Sequence, residues 1–189
     1  EAGTFAIAAA ITCGDVVLTD LNVAHMDPLT HKLLEVGVLV EEGADHYRVR
    51  GQRPLRAVEV QTLHYPGFPT DLQAEFAALL TQAVGTSIVH ERVYDDRLQY
   101  ADEFRKLGAQ IRVSGQTATI EGPTPLNGAP VRALDLRCGA ALVLCGLVAE
   151  GETVISDIHH VDRGYERLDE RLRHLGARVD RVVVKEAVA

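Results

Sequence analysis

The sequence predicts an α/β domain made of three related units, with buried helices at its centre. Three apolar helical segments each run to a glycine and then into a β-rich stretch: "AIAAAITCGDVVLTD", "AALLTQAVGTSIVHE" and "ALVLCGLVAEGETVISD". Their glycines, Gly14, Gly85 and Gly151, lie 71 and 66 residues apart. Self-similarity at a nearly fixed period indicates an internal structural repeat.

A second helix in each unit gives the same period. The segments "HKLLEVG", "DEFRKLG" and "ERLRHLG" end at Gly37, Gly108 and Gly176, which lie 71 and 68 residues apart. Glycine is the usual residue for a left-handed helix C-cap, so each segment predicts a helix that stops before a strand. Because two independent sets of glycines agree, a repeat is a better explanation than chance.

Alternating β segments complete the units. The stretches 38–51 and 110–122 predict hairpins with glycine-containing turns, and 56–62 and 131–136 predict strands that lead into the next apolar helix. The order in one unit is therefore strand, helix, strand, helix, strand, strand.

The predicted domain spans 1–189, with units near 1–55, 56–126 and 127–189. The first unit lacks an opening strand and the third lacks its last strands. The chain starts at Glu1 without a methionine, so we expect an excerpt from a longer parent chain. We expect strands from elsewhere in that parent to complete the fold, or an edge to remain open.

Composition excludes several classes of protein. The chain has 189 residues, 47% of them hydrophobic, and a formal net charge of −8. That charge argues against general binding to nucleic acid or to anionic membranes, which need a surplus of Lys and Arg. No apolar run is long enough to span a bilayer. We expect a soluble, cytoplasmic protein.

The helices predict a binding site for an anion. The first helix of each unit is apolar nearly all round and should be buried, whereas the second has a single apolar stripe, such as Leu168, Leu172 and Leu175. If the units are related by rotation, the three buried helices begin at the same end of the domain. Their dipoles then converge there and favour a negatively charged ligand.

Asp71 lies at that end and has two interpretations. The segment "TDLQ" fits a capping box with Thr70 as N-cap and Gln73 three residues on, in which Asp71 only favours the helix dipole. The alternative is a carboxylate that the preceding Pro/Gly-rich loop directs towards a ligand. The equivalent place in the third unit holds Asp135 and Arg137.

Two arginines favour an external anion. Asp27, Asp96 and Asp162 are predicted N-caps of the second helices. Arg97 and Arg163 follow two of them and would place a cation in the first turn, where the dipole disfavours it. Arginine binds phosphate and carboxylate through two parallel hydrogen bonds, although a solvated or ion-paired arginine is the plainer explanation.

Neither a metal nor a cofactor site is predicted. His159 and His160 lack further ligands and are expected to be structural or polar lining residues. Cys13 and Cys145 fall in apolar helices and are expected in the core. Cys138 lies near a first helical turn, where its pKa could be lowered. The three cysteines form no CxxC pair, and no glycine-rich nucleotide motif is present.

Three motifs carry a resemblance to a known family. The segments "FPTDLQAEFAALLTQAVGTSIVHERVYDDRLQYADEFRKLGAQI", "GAPVRALDLRCGAALVLCGLVAEGETVI" and "HHVDRGYERLDERLRHLGA" resemble the C-terminal part of the UDP-N-acetylglucosamine 1-carboxyvinyltransferases. The resemblance implies an inside-out α/β barrel of three βαβαββ repeats that forms one domain of a two-domain enzyme. The implied partners are UDP-N-acetylglucosamine, phosphoenolpyruvate and the N-terminal domain of the same parent chain.

The resemblance also implies catalytic residues. Asp71 in "PTDLQ" is similar to the carboxylate that contacts the reacting sugar hydroxyl, and it is the candidate general base. Asp135 and Arg137 in "LDLR" resemble the pair on the phosphoenolpyruvate side. None of the three cysteines lies in a loop that resembles the mobile cysteine loop of the family, which belongs to the other domain.

Substrate-binding residues follow in the same way. Val93 in "ERVYDDR" resembles the position whose backbone contacts the sugar nucleotide, and Arg163 in "HVDRGYE" resembles the arginine that closes on phosphoenolpyruvate. Arg97 matches a further arginine of the family. Two alternatives remain at this point: a non-catalytic anion-binding domain of the same fold, and a 3-phosphoshikimate 1-carboxyvinyltransferase.

Overall fold

The computed structural model describes residues 1–183. Its α-helices are α1 (Ala2–Ile11), α2 (Asp27–Val36), α3 (Gln73–Leu80), α4 (Tyr100–Lys106), α5 (Leu136–Gly146), α6 (His159–Asp162) and α7 (Leu168–His174). Short 3₁₀ helices cover Val23–Met26 and Thr70–Leu72. The strands are β1 (Asp15–Thr19), β2 (Leu39–Glu42), β3 (His46–Arg50), β4 (Leu55–Arg56), β5 (Glu59–Gln61), β6 (Ala83–His90), β7 (Gln110–Ser114), β8 (Thr117–Gly122), β9 (Pro130–Arg132) and β10 (Val154–Ser156).

The core is built around α1, α3 and α5, as the apolar sequence of these segments predicts. Every residue of α3 is buried, and so are nine of the ten residues of α1. The helix α3 packs against both α1 and α5, and α1 also contacts α5. Many of their residues are alanine, whose small side chain allows helix axes to approach closely. The helices therefore lie inside and the sheets outside.

The sheets show the repeat in their pairing. In the middle of the chain β5 lies parallel to β6, while β6 and β7 both lie antiparallel to β8. The first sheet repeats the antiparallel part, with β3 between β1 and β2. The third sheet repeats the parallel part, with β9 beside β10. This architecture is an inside-out α/β barrel, and both predicted hairpins are confirmed.

The second helices end as predicted. Gly37, Gly108 and Gly176 have φ angles of 101°, 93° and 95°, the left-handed backbone that glycine adopts at least cost. The first set of glycines differs from the prediction. Gly85 lies within β6 rather than at a helix end, and after α1 the left-handed residue is Cys13, with φ of 56°.

The predicted aspartate N-caps are wrong. Asp27 is the first residue of α2, because the 3₁₀ helix Val23–Met26 runs directly into it and is itself capped by Asn22. Asp96 has φ of 58° and precedes α4, whose N-cap is Gln99. Asp162 is the last residue of α6, not the residue before a helix. These caps were predicted from local sequence, but the helices begin and end at other residues.

The outer helix α7 is only partly buried, and its buried leucines join a cluster with Phe5 of α1 and with Ala140 and Val143 of α5. Leu168 and Leu172 of α7 are buried as predicted, whereas Leu175 is 53% exposed. No helix within residues 1–183 combines the length and apolar character needed to cross a bilayer.

Candidate active site

The three inner helices begin at the same end of the domain. Thr4 near the start of α1 and Glu75 in the first turn of α3 contact the same side chain, that of Tyr165. The starts of α3 and α5 are joined by Asp71 and Arg137. The predicted convergence of helix N-termini is therefore present in the structure.

Asp71 lies at the centre of a cluster of charged side chains. One of its carboxylate oxygens, Oδ1, accepts hydrogen bonds from Arg97 Nη1 at 3.2 Å and from Arg137 Nη1 at 3.3 Å. Arg137 also donates from Nη2 to Asp135 Oδ2 at 2.7 Å. Four of the residues predicted from the sequence thus form one connected group, which we call the Asp71 cluster: Asp71, Arg97, Asp135 and Arg137.

The capping box predicted around Asp71 is wrong. Thr70 opens a 3₁₀ helix that extends to Leu72, and α3 starts only at Gln73. The hydroxyl of Thr70 donates to Glu91 Oε2 at 2.8 Å and makes no cap. The side chain of Asp71 is 74% exposed, so its carboxylate faces open space beyond the two arginines.

Asp135 holds the start of α5 in place. It is the N-cap of this helix, and its Oδ1 accepts from the backbone N–H groups of Arg137 at 2.9 Å and Cys138 at 2.8 Å. Burial acts to raise the pKa of this carboxyl, but the backbone hydrogen bonds and the Arg137 guanidinium outweigh it and leave the pKa lowered.

Arg137 is held by two carboxylates at once. Burial opposes its charge, yet the hydrogen bond and attraction of Asp135, together with those of Asp71, raise its pKa above the ordinary value. A guanidinium fixed in this way keeps its charge and a defined orientation. It is therefore suited to hold a carboxylate or phosphate of a ligand.

Arg97 approaches Asp71 from the loop between β6 and α4. Its side chain is only 18% exposed, and its guanidinium carbon lies 4.3 Å from the centre of the Tyr94 ring. A cation stacked on an aromatic face is favourable and fixes the guanidinium plane. Arg97 is not in a first helical turn, because α4 starts at Tyr100. The helix dipole therefore does not disfavour Arg97 as predicted, although the position of this residue beside Asp71 agrees with a binding role.

Arg163 stands apart from the Asp71 cluster. Arg163 is exposed and follows the last residue of α6. The dipole at a helix C-terminus stabilises a cation, so the predicted unfavourable position of Arg163 is wrong. No hydrogen bond or ion pair among residues 1–183 links Arg163 to Asp71. The buried Tyr165, two residues on, anchors this segment to α1 and α3.

The backbone N–H of Val93 is used within the protein. It donates to Glu91 Oε1 at 2.8 Å and is therefore already satisfied. If the backbone of Val93 contacts a ligand, the carbonyl oxygen is the group that remains for it.

Glu91 organises the loop that carries Val93, and the sequence did not reveal it. The residue is 1% exposed. Its Oε1 accepts from Thr62 Oγ1 at 2.8 Å, from the N–H of Val93 at 2.8 Å and from that of Tyr94 at 3.1 Å. With the bond from Thr70 to Oε2, four donors converge on one buried carboxylate. The available sequence signal was an acidic residue directly after the segment that forms β6.

Glu75 is a second buried carboxyl group, and no sequence motif indicates it. It is 0% exposed, and its Oε1 accepts from Tyr165 Oη at 3.2 Å, while Thr4 Oγ1 lies 2.8 Å from the same hydroxyl. Burial raises the pKa of Glu75 to about 8. An acidic residue inside the apolar segment "QAEFAALL" was the available signal.

Two cavities differ in their relation to the Asp71 cluster. A small one of about 50 Å³ is lined by Arg97, Asp135 and Arg137, together with Gln73 and Tyr100. A larger open groove of about 480 Å³ lies between α2 and β5, lined by Pro28, Lys32, Glu35, Glu59, Gln61 and Phe68. None of the predicted site residues lines the groove, so the small cavity is the one connected to the candidate site.

The cysteines and histidines contribute no reactive group to the cluster. Burial raises the pKa of Cys138 to about 11, the opposite of the shift considered from its position in the sequence. Cys145 is buried as predicted, but Cys13 is exposed, because the chain leaves α1 before it. His159 and His160 lie on α6. Within the described part of the chain, no group of three or more His, Cys, Asp or Glu could hold a metal ion.

The whole chain is similar to known enolpyruvyl transferases. Residues 1–172 match the family model described as EPSP synthase (3-phosphoshikimate 1-carboxyvinyltransferase). A UDP-N-acetylglucosamine 1-carboxyvinyltransferase of Desulfofundulus thermocisternus is 50% identical over 186 residues, covering 98% of this chain and 76% of the relative. UDP-N-acetylglucosamine 1-carboxyvinyltransferase 3 of Caldanaerobacter subterraneus subsp. tengcongensis is 50% identical over 182 residues, covering 96% of this chain. The chain spans 44% of the length of that second relative.

Solved structures agree with the sequence relatives. The enolpyruvyl transferase NikO from Streptomyces tendae superposes with a TM-score of 0.87 at 30% identity, covering 95% of this chain and 43% of that one. An EPSP synthase from Acinetobacter baumannii gives a TM-score of 0.65 at 19% identity over 87% of this chain, a likeness that concerns the fold alone. The match of the family model, the half-identical relatives and the shared fold lead to one conclusion: the chain belongs to the enolpyruvyl transferase family.

Proposed function

We propose that this chain provides part of the active site of a UDP-N-acetylglucosamine 1-carboxyvinyltransferase. The reaction moves the enolpyruvyl group of phosphoenolpyruvate to the 3-hydroxyl of UDP-N-acetylglucosamine and releases phosphate. The observation that carries the proposal is 50% identity over 98% and 96% of the chain to two relatives that bear this name. The Asp71 cluster supports it with a carboxylate beside two cations.

Asp71 is the proposed general base. Its exposed carboxylate can reach a hydroxyl group that enters from solvent, and it is fixed by Arg97 and Arg137 at 3.2 and 3.3 Å. As it takes the proton, the hydroxyl oxygen forms a bond to C2 of phosphoenolpyruvate. Positioned bases of this kind typically accelerate proton transfer by about 10²–10⁴-fold.

The arginines are the proposed anion-binding groups. A proton added at C3 and the new C–O bond at C2 give a tetrahedral intermediate that keeps its carboxylate and phosphate. Arg97 and Arg137 bind and orient these negative groups, and Arg163 closes on them from its own segment. Loss of a proton from C3 and of phosphate from C2 then gives the enol ether product. Fixed cations stabilise such charge without reorganising during the reaction.

Asp135 and Val93 act as positioning and contact residues in this proposal. Asp135 orients Arg137 through the 2.7 Å bond to Nη2 while it caps α5. Val93 offers its carbonyl oxygen to the sugar nucleotide, because its N–H is used by Glu91.

The remaining substrate contacts are proposed to come from the N-terminal domain of the parent chain, across a cleft between the domains. The isolated chain is therefore expected to be inactive. The scheme uses no cofactor. Because the reaction opens peptidoglycan synthesis, we also propose a cytoplasmic location.

Phosphate release tests the proposal. The full-length protein is incubated with phosphoenolpyruvate and either UDP-N-acetylglucosamine or shikimate 3-phosphate. We expect phosphate release with UDP-N-acetylglucosamine. This release should fall by orders of magnitude in Arg137→Ala and in Arg163→Ala. Release only with shikimate 3-phosphate would assign the chain to the activity named in its family model. A folded protein that binds phosphate but turns over neither acceptor would be a non-catalytic anion-binding domain.

A further inference from the structure

The small cavity beside the Asp71 cluster lies where three helices begin. Gln73 is the first residue of α3, Tyr100 is the first residue of α4, and Asp135 caps α5. All three line the cavity. Asp71 precedes Gln73 by two residues and Arg97 precedes Tyr100 by three. The cavity therefore adjoins every segment that contributes to the cluster.

Two buried polar groups beside the cavity lack a partner. Gln73 is 1% exposed and Tyr100 is 2% exposed. Within residues 1–183, neither the amide nitrogen Nε2 of Gln73 nor the hydroxyl of Tyr100 makes a hydrogen bond. A buried polar group without a partner is costly and rare in native proteins. Both groups can donate, so the atom that would satisfy them is an acceptor.

The volume and the walls of the cavity fit a water molecule. Its volume is about 50 Å³, well above the ~10–15 Å³ that a single water requires. A buried water usually makes about three hydrogen bonds. The water oxygen can accept hydrogen bonds from Gln73 and Tyr100. The water can donate a hydrogen bond to the carboxylate of Asp135, which also lines the cavity. An apolar group would satisfy none of these.

We propose that Gln73 and Tyr100 hold an ordered water molecule beside the Asp71 cluster, and that this water fixes the relative positions of α3, α4 and α5. Through these helix starts it sets the distance between Arg97 and Arg137, whose guanidinium groups share Asp71. Gln73 and Tyr100 are thus positioning residues. The occupancy of the site is independent of the proposed function, whereas its effect on turnover rests on it.

The direction in which Tyr100→Phe changes the thermal midpoint tests whether the cavity holds a water molecule. Tyr100→Phe in the full-length protein removes only the hydroxyl. If the water is present, the variant loses a hydrogen bond, and its thermal midpoint falls by about 2–4 °C. If the cavity is dry, the variant loses an unsatisfied buried group, and the midpoint stays or rises. The dry outcome would overturn the proposal.

Thr153→Val is the matched control. The hydroxyl of Thr153 is also buried without a partner in the described residues, but Thr153 does not line this cavity. Its removal is expected to leave the midpoint unchanged or higher. A fall equal to that of Tyr100→Phe would show that the effect is not specific to the cavity.

A crystal structure at high resolution and steady-state kinetics complete the test. We expect a density peak within hydrogen-bond distance of Gln73 Nε2 and Tyr100 Oη, present without substrate and absent in Tyr100→Phe. The same variant should raise KM for phosphoenolpyruvate several-fold with a smaller change in kcat. An empty cavity in the unsubstituted protein refutes the site. Unchanged kinetics in a variant that has lost the water refutes the positioning role. A protein with the water but without transferase activity would instead refute the proposed function.

Discussion

Asp71 joins two arginines through one oxygen atom, and this contact has a consequence for substrate binding. Without a ligand, the carboxylate occupies guanidinium groups that an anionic substrate would use. The side chain is 74% exposed, and exposed ion pairs contribute only about 0–1 kcal/mol. Asp71 therefore competes only weakly with a substrate anion for the arginines, and binding of that anion would release the carboxylate for proton transfer.

Replacing Asp71 by Asn separates these two effects. We expect turnover to fall by about 10²–10⁴-fold, because the proposed base is lost. Affinity for phosphoenolpyruvate should rise by up to about fivefold, which corresponds to about 1 kcal/mol, because the competing charge is gone. Phosphate release measures the first quantity and isothermal titration calorimetry the second.

Asp102→Asn controls for the change in net charge. Asp102 pairs with Arg105 outside the Asp71 cluster, and its side chain is 76% exposed, close to the value for Asp71. Both turnover and affinity should stay near those of the unsubstituted protein. Affinity that falls in Asp71→Asn would contradict the competition between Asp71 and the substrate.

At the scale of single elements, α5 depends on one side chain for its start. Asp135 accepts two backbone N–H groups and pairs with Arg137. Asp135 therefore contributes both to the candidate site and to the stability of α5. The carboxylate that orients a candidate substrate-binding arginine also satisfies backbone donors that would otherwise be unpaired.

Asp135→Ala and Asp135→Asn distinguish capping from charge. Alanine removes both, and we expect the free energy of unfolding to fall by about 0.5–2 kcal/mol. Asparagine keeps a capping oxygen, so most of that loss should be avoided, while binding of phosphoenolpyruvate weakens because Arg137 loses its charged partner. Urea unfolding and calorimetry measure the two effects. Equal destabilisation by both variants would show that charge, not capping, stabilises this helix.

The elements also show why local sequence misassigned several caps. Thr70 and Gln73 fit a capping box in the sequence, but Glu91, distant in the chain, accepts the hydroxyl proton of Thr70 instead. The hydroxyl of Thr70 donates to this buried carboxylate, and its oxygen accepts no capping hydrogen bond from the start of α3. The position of Glu91 is set by the strand β6 that precedes it. No local pattern contains that information.

Across the whole molecule, a buried hydrogen-bonded chain connects the three proposed units. Thr4 belongs to the first, Glu75 to the second and Tyr165 to the third, and all are buried. The second oxygen of Glu75 has no partner among the described residues. A neutral carboxyl group tolerates this environment far better than a carboxylate does, which agrees with the raised pKa of Glu75.

Glu75 makes global stability depend on pH. Its pKa is about 8 in the folded protein and 4.5 when unperturbed, so the folded state retains a proton that the unfolded state releases. The free energy of unfolding should therefore decline as pH rises from about 4.5 to about 8, with the loss complete above that range. A shift of this size corresponds to about 5 kcal/mol at most.

Glu75→Gln removes the titrating group and keeps its size. As pH rises from about 4.5 to about 8, the unsubstituted protein should lose stability relative to the variant, because only the unsubstituted protein titrates at this position. Urea unfolding at several pH values measures it, and Glu42→Gln, at an exposed carboxylate that accepts one hydroxyl, is the control. A pH-independent difference for Glu75→Gln would contradict the raised pKa.

The sequence by itself determined the fold and the identity of the candidate site residues. The period of its glycines, the apolar helices and the alternating strands predicted helices inside sheets, because hydrophobic periodicity reports which face is buried. Three motifs predicted Asp71, Arg97, Asp135 and Arg137, and the structure brings these four side chains together. The roles of all six residues, including Arg163 and Val93, stay predictions.

Only the tertiary structure decided how these residues are held. The structure shows the buried acceptors Glu91 and Glu75, the shared oxygen of Asp71, and the cavity lined by Gln73 and Tyr100. Each of them depends on groups far apart in the chain. The sequence pattern reports whether a residue is buried but not which donors surround it. Hydrogen-bond partners and burial across distant segments are fixed when the helices and sheets pack, and they determine the charge and orientation of each group.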